Sequence, residues 1–460
     1  MEVEGGMLNA LLYADDIVLL ANNRYELQTM LDTVARYARK WRFELNPKKS
    51  EVVVFGLRYP PRNIEWKLGE NKIKQVRQYK YLGIELTRGL QWGPYTKRIL
   101  AKARRNMTQA LAMGISGGYM TTRLANIIWM SLVRSIVEYG CEIWGDRPFL
   151  EFEKLQLDMG RRILRCGSRM TEEVVRGELG WERQKARRDE MRLRYWAKLV
   201  RMDNDRIAKK VYGTSKKRLQ TEEEESKHVT STWCKYTREL MKQLGLEQEW
   251  RTEEIGTEEE WNALIREKIH NREQIKWREE CLLLPKLRTY IKLKKELKTE
   301  PFLDLYHRGG IPELVKIRGG TNRLRIEQGR YVKEKLEDRV CVFCLSGKIE
   351  DEEHFMLDCP AFDDARSKMW SKFEQATELK KESLASKEQQ LNALIGDRFQ
   401  PNEDDDKDSP KRKMYRTLMK AIMEYICTSL MNKRRGLQEI LEGVKPARVD
   451  PGTSPVFGPS

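Results

Sequence analysis

Residues 7 to 21 constrain this chain most: an apolar run from Met7 to Tyr13, the break Ala14-Asp15-Asp16, and a second apolar run from Ile17 to Ala21. Two short apolar runs around such a break read as paired strands joined by a tight turn. The pattern predicts a hairpin with two adjacent carboxylates at its tip and buried apolar flanks. Carboxylates crowded on a rigid tip repel each other unless a cation neutralises them, and a hard divalent ion such as Mg²⁺ suits their oxygens. An Asp-Asp pair taken alone is more often a solvated turn, so its neighbours decide the reading.

Those neighbours are ordered. Asn23 and Glu26 form a capping-box pattern, and Leu27, Met30, Leu31, Val34, Ala38 and Trp41 follow at helical spacing. Asn46-Pro47 ends that helix, Glu51 to Phe55 is a β-branched run, and a further strand pair includes Tyr79 to Leu86. Residues 1–86 are therefore expected to be α+β. From Tyr95 onward helical segments dominate, at 95–112, 121–138, 151–166 and 182–212, with Gly114 to Gly118 separating the first two. Ile127, Ile128, Leu132, Val133, Ile136 and Val137, with Trp129 and Trp144, read as helical core.

The succession Tyr13-Ala14-Asp15-Asp16, helix, Asn46-Pro47-Lys48-Lys49-Ser50, then Tyr81-Leu82-Gly83 resembles the second half of the palm of a reverse transcriptase, in detail that of non-LTR (LINE-type) retrotransposons. The resemblance implies that Asp15 and Asp16 are the catalytic, Mg²⁺-binding aspartates, with Asp15 the stronger ligand. It places Tyr13 and Ala14 near the primer end and the incoming nucleotide. Lys49 falls near the triphosphate as a proton donor to pyrophosphate, and Tyr81, Leu82 and Gly83 fall in the primer grip. Arg42 stands where the family has Gly. The family also uses a further aspartate upstream of this hairpin, together with fingers. The sequence begins twelve residues before Tyr13, so the isolated chain is expected to polymerise very weakly or not at all.

A second motif is independent of the first. Cys341, Cys344, His354 and Cys359 form C-x2-C-x9-H-x4-C, placing three of the chain's eight cysteines and one of its four histidines within 19 residues. Three thiolates and one imidazole make a closed tetrahedral Zn²⁺ site, which suits a structural role because no ligand position is left open. Glu350 to Glu353 are candidates to orient the imidazole. Residues 323–363 resemble the zinc-binding segment C-terminal to the same reverse transcriptases. Cys141, Cys166, Cys234, Cys281 and Cys427 lack ligand spacing and are expected to be inert thiols. His228, His270 and His307 are expected at the surface.

Lys and Arg number 87 against 70 Asp and Glu, a net charge of +17, which predicts a polyanionic partner. Between 183 and 218 there are fourteen Lys or Arg and four Asp or Glu. Arg161, Arg162 and Arg165, then Arg187, Arg188, Arg192 and Arg194, are the expected nucleic-acid contacts, with Trp181, Tyr195 and Trp196 interleaved for stacking. Glu2 and Glu4 are unlike a secretion signal, and the longest later apolar run, Leu124 to Val133, is far shorter than the roughly 20 residues of a membrane span.

The expected fold is an α+β N-terminal partial palm followed by a mostly α-helical thumb and C-terminal region with a small zinc-binding module. The expected boundaries are palm 1–88, thumb 89–150, basic helical region 151–322, zinc-binding segment 323–365, helical region 366–445 and disordered tail 446–460. The resemblance implies RNA-templated addition of dNTPs to a DNA 3′ end, with RNA template and DNA primer or target as partners, no membrane, and a nuclear location. The alternative is a non-catalytic, zinc-stabilised RNA- or DNA-binding protein derived from a decayed element.

Overall fold

The computed structural model describes residues 2–3, 6–56, 64–224, 232–344, 346–402, 404–406 and 408–441. His228 and the expected tail at 446–460 lie outside the described residues. The chain divides into two compact units, one of Met1–Thr108, Met130–Lys154 and Arg183–Glu273, the other of Gln109–Trp129, Leu155–Glu182 and Gln274–Ser460.

Among the described residues the first unit holds all the strands. β1 (Glu2–Val3) pairs with β2 (Gly6–Met7), and β3 (Ala10–Tyr13) pairs antiparallel with β4 (Asp16–Leu19), which is the acidic hairpin. Helix α1 (Arg24–Trp41) follows. Asn23 caps it, its Oδ1 accepting from the Glu26 amide at 3.0 Å, while the Glu26 carboxylate accepts from the Asn22 amide at 3.0 Å. This is the reciprocal arrangement the sequence predicts, returned to residue 22 instead of 23. Three strands, β5 (Glu51–Val53), β6 (Trp66–Leu68) and β7 (Asn71–Val76), form a sheet in the order β5-β7-β6, with β5 parallel to β7. Leu31 and Ala35 of α1 bury against Val52, Trp66, Leu68 and Ile73, with Leu19 of the hairpin packed on the edge of this core. β8 (Gln78–Tyr81) and β9 (Ile84–Thr87) close the series as a hairpin.

The hairpin flanks depart from expectation. Leu12 is 74%, Tyr13 62% and Ile17 40% exposed, because β3 and β4 pair with each other alone among the described residues. Only their far end, at Leu19, reaches the core of α1. The same unit holds a second core in which Trp196 and Trp261, 5.3 Å apart, pack with Trp250, Leu193 and Ile265. The segment expected as one helix at 182–212 is two, Gln184–Arg201 and Ile207–Glu224. They are broken at Asp203-Asn204-Asp205, whose short polar side chains favour turns.

The second unit is helical among its described residues. The helix Asp363–Thr377 packs on Pro410–Leu441, which also carries Gly310–Arg318. Arg318 is buried and paired with Glu178 at 3.1 Å and Glu300 at 3.3 Å, and Glu300 also accepts from Lys294. The expected helix at 121–138 begins as Thr122–Ile128 and continues through a wider-turn stretch, Trp129–Arg134. Trp129, Val133, Val137 and Trp144 are buried as expected, but Ile127 and Leu132 are exposed, so the apolar stripe is narrower than the sequence run. No helix among the described residues is long and apolar enough to cross a membrane.

Candidate active site and metal centre

In the acidic hairpin Tyr13 faces Asp16 across the ladder, leaving Ala14 and Asp15 as the two loop residues. Ala14 takes a left-handed backbone, φ 50°, which costs a residue with a Cβ roughly 1–2 kcal/mol. Asp15 and Asp16 are both exposed. Asp15 and Asp16 could hold a hard divalent cation such as Mg²⁺, whose charge their oxygens would offset. Among the described residues no third Asp, Glu, His or Cys joins them at ligating distance.

The Asn46-Pro47-Lys48-Lys49-Ser50 segment is a tight turn. The Asn46 side-chain oxygen accepts from the Lys48 amide at 3.0 Å, and the Asn46 carbonyl accepts from the amides of Lys49 and Ser50 at 3.1 Å each. Both lysines point to solvent. Tyr79 on β8 ties this turn to the hairpin. Its hydroxyl donates to the Lys49 carbonyl at 3.4 Å. Burial raises its phenol pKa, and the nearby charges of Asp16 and Glu51 push the same way. One ring therefore senses the hairpin carboxylate and bonds the lysine turn, and its strand runs directly into Tyr81-Leu82-Gly83.

That last motif is a two-residue hairpin turn with positive φ at both loop positions, 44° at Leu82 and 83° at Gly83, as the strand twist demands. Arg98 of the helix Gly93–Ala110 and Tyr139, which caps the helix Ser135–Glu138, brace it. The Tyr139 hydroxyl donates to the Leu82 carbonyl and Arg98 Nη2 donates to the Gly83 carbonyl, each at 2.8 Å. A Cβ at position 83 would stand 3.0 Å from the Tyr139 ring. The Tyr139 carbonyl in turn accepts from the Tyr95 hydroxyl at 2.9 Å and Trp144 Nε1 at 3.0 Å. Sequence reasoning missed Tyr79, Arg98 and Tyr139. The one local signal was Gly140 after Tyr139, which takes φ 66° at a helix break.

In the second unit Cys341, Cys344, His354 and Cys359 come together, all four ligand atoms lying within 4.8 Å of one another. Cys341 Sγ is 3.8 Å from Cys359 Sγ, and Cys344 Sγ is 3.4 Å from His354 Nε2. Zinc–sulfur bonds of about 2.3 Å in a tetrahedron put ligand sulfurs about 3.8 Å apart, the separation of Cys341 and Cys359 here. The Cys359 thiol, donating to Cys341, holds Cys341 down to about 4, with backbone amides of Cys344 and Phe343 helping against burial. The same contact, with burial, pushes Cys359 up.

The expected imidazole partners are otherwise engaged. Glu350 binds Lys433 at 2.7 Å, Glu352 binds Arg288 at 2.8 Å, and Glu353 pairs with Lys387 at 3.3 Å. Asp351 accepts from the His354 backbone amide at 2.8 Å. His354 Nδ1 is buried without a protein partner. The other thiols at 141, 166, 234 and 281 are buried, which pushes each up to about 12 and leaves them inert.

The arginines divide by burial, which corrects the expected basic face. Arg188 is 0% and Arg192 2% exposed. Arg188 lies 5.5 Å over the Phe149 ring and Arg192 5.9 Å over that of Trp233. Arg187 and Arg194 both bind Glu190, and Asp189 pairs with Lys185 and with Arg272. Helix Gln184–Arg201 therefore spends much of its charge inside the fold. Arg161 donates to the Met170 carbonyl at 3.0 Å, Arg162 is exposed and Arg165 is half-buried.

Residues 3–86 match the reverse transcriptase (RNA-dependent DNA polymerase) family. The chain is similar to a protein described as a probable RNA-directed DNA polymerase from transposon BS of Drosophila melanogaster, 30% identical over 158 residues, which are 33% of this chain and 17% of that protein. It is also similar to a probable RNA-directed DNA polymerase from transposon X-element of the same organism, 26% identical over 166 residues, 34% of this chain and 18% of the other. The chain thus matches less than a fifth of the length of either relative. No solved structure matches it. The hairpin carboxylates, the lysine turn and the braced Tyr81-Leu82-Gly83 turn all fall inside the segment that matches the reverse transcriptase family.

Proposed function

We propose that the chain is part of the RNA-directed DNA polymerase of a non-LTR retrotransposon, adding dNTPs to a DNA 3′ end on an RNA template at nuclear target sites. In this reading residues 1–88 are palm, 89–150 thumb, 151–322 a basic helical region, 323–365 the zinc-binding segment and 366–445 a helical region. The observation that carries it is Tyr79, which bonds the Lys49 turn and sits on the strand that runs into Tyr81-Leu82-Gly83, while the Asp16 charge raises its phenol pKa further. Asp15 and Asp16 would hold Mg²⁺, which supplies charge neutralisation and activation of the attacking 3′-hydroxyl when bound. Tyr13 and Ala14 contact the primer end and nucleotide, Lys49 hands a proton to the departing pyrophosphate, and the turn at Tyr81, Leu82 and Gly83 positions the primer. Cys341, Cys344, His354 and Cys359 hold a structural Zn²⁺.

A second reading, a non-catalytic nucleic-acid-binding protein, draws on the exposure of both aspartates and on the absence of a third ligand beside them among the described residues. Primer extension by the 460-residue chain on an RNA template with Mg²⁺ separates the two. Extension lost in Asp15→Ala and in Asp16→Ala supports the polymerase. Salt-sensitive RNA binding without extension supports the binding protein. Extension that survives both substitutions contradicts the assignment of the aspartates.

A further inference from the structure

Within the second unit, Arg165 and Arg308 line one recess, and neither has a carboxylate partner among the described residues. Arg165 takes a left-handed backbone, φ 51°, at the end of helix Leu150–Leu164, and its Nη1 donates to the Arg308 carbonyl. Arg308 Nε donates to the Gly117 carbonyl at 3.1 Å, and its guanidinium lies 4.5 Å over the Tyr119 ring. No acidic group of the described residues forms an ion pair with either arginine, in a structure where most of the buried cations have one.

Gly117 and Gly118 lie directly against the Tyr119 ring and the Arg165 side chain. A Cβ on Gly118, at φ 68°, would stand 2.2 Å from Arg165 Nη1, and one on Gly117 would stand 2.4 Å from the Tyr119 ring. The recess beside the pair is lined by Gly118, Thr121, Arg165, Tyr306, His307 and Arg308. Burial lowers the Arg165 pKa, and the charge of Arg308 adds to that effect. Tyr119 is 67% and Tyr306 63% exposed, two aromatic rings in solvent at the rim.

We propose that Arg165 and Arg308 bind one backbone phosphate of a single-stranded RNA whose neighbouring bases stack on Tyr119 and Tyr306. Guanidinium forks match phosphate oxygens, and an anion removes the repulsion between the two cations. Exposed tyrosines beside such a pair offer stacking faces that tolerate any base. This site rests on the reading of the chain as a nucleic-acid-handling protein, and it names where in the second unit the strand is held.

The test is fluorescence polarisation of a labelled, unstructured 20-nucleotide RNA with the full chain across a salt series. Arg308→Glu and Tyr306→Ala are the probes, and Arg251→Glu is the matched charge control on an exposed arginine elsewhere. Arg308→Glu should weaken binding about tenfold or more and lower the salt slope by about one. Tyr306→Ala should weaken it about fivefold with the slope unchanged. Circular dichroism and zinc content should match those of the unsubstituted chain. If Arg308→Glu behaves like Arg251→Glu while the parent chain binds RNA, this site is wrong and the nucleic-acid reading stands. If the parent chain does not bind RNA, that reading fails and takes the site with it.

Discussion

The Tyr139 hydroxyl donates to the Leu82 carbonyl at 2.8 Å across 57 residues of sequence. A residue at the end of a helix thus fixes the tip of a hairpin that has positive φ at both loop positions. Tyr139→Phe keeps the ring and removes the bond, and should cost about 1 kcal/mol. Gly83→Ala should cost more, since it adds left-handed strain and a Cβ 3.0 Å from the Tyr139 ring. Shifts in urea midpoint for the two variants test the order. A neutral Gly83→Ala would show that the turn is not held as described.

Arg42 caps α1 at φ 57°, its amide donating to the Ala38 carbonyl. Gly takes this conformation without a Cβ penalty. Arg42→Gly should therefore stabilise the first unit by about 0.5–1 kcal/mol. Thermal unfolding measures it, and a lower midpoint would contradict the cap geometry.

Arg188 is buried against Phe149 and Phe152 with no hydrogen bond to its guanidinium, and its nearest carboxylate oxygen, on Glu153, is 3.8 Å away. Glu153 is satisfied without it, accepting from the Gln184 and Lys185 amides at 2.9 and 3.0 Å. Arg188→Met, similar in length and apolar, should change stability by less than about 1.5 kcal/mol in either direction. RNA affinity should stay unchanged, and a drop in affinity without unfolding would return Arg188 to the binding surface.

The Cys/His cluster predicts one zinc per chain. Cys344→Ser or His354→Ala should abolish stoichiometric zinc, and chelation should lower the unfolding temperature, because metal bound only by the folded state adds its binding free energy to stability. Elemental analysis of freshly reduced protein reads the first effect. Zinc-free protein of unchanged stability would refute the site.

What the sequence made legible was local. The capping of α1 by Asn23, the acidic hairpin around Asp15, and the Cys/His spacing all follow from residues a few positions apart. What it hid was set by distant partners. Counting charge over 183–218 could not show that Arg188 and Arg192 would face Phe149 and Trp233, or that Glu190 would take up Arg187 and Arg194. Glu350 and Glu352 looked free to orient His354 until Lys433 and Arg288 arrived from far along the chain. The parallel pairing of β5 with β7 and the brace of Tyr139 on Leu82 are non-local for the same reason. The exposed hairpin flank at Leu12 was misread because an apolar run states a tendency to be covered and not what covers it.

The most direct measurement is a Mn²⁺ titration followed by electron paramagnetic resonance, with Mn²⁺ standing in for Mg²⁺, on the parent chain and on an Asp15→Ala, Asp16→Ala double variant. If the hairpin carboxylates hold a divalent cation, the parent binds one more Mn²⁺ than the variant, and Mg²⁺ displaces it. Identical titration curves for the two proteins would contradict the assignment of Asp15 and Asp16 as the metal-holding pair.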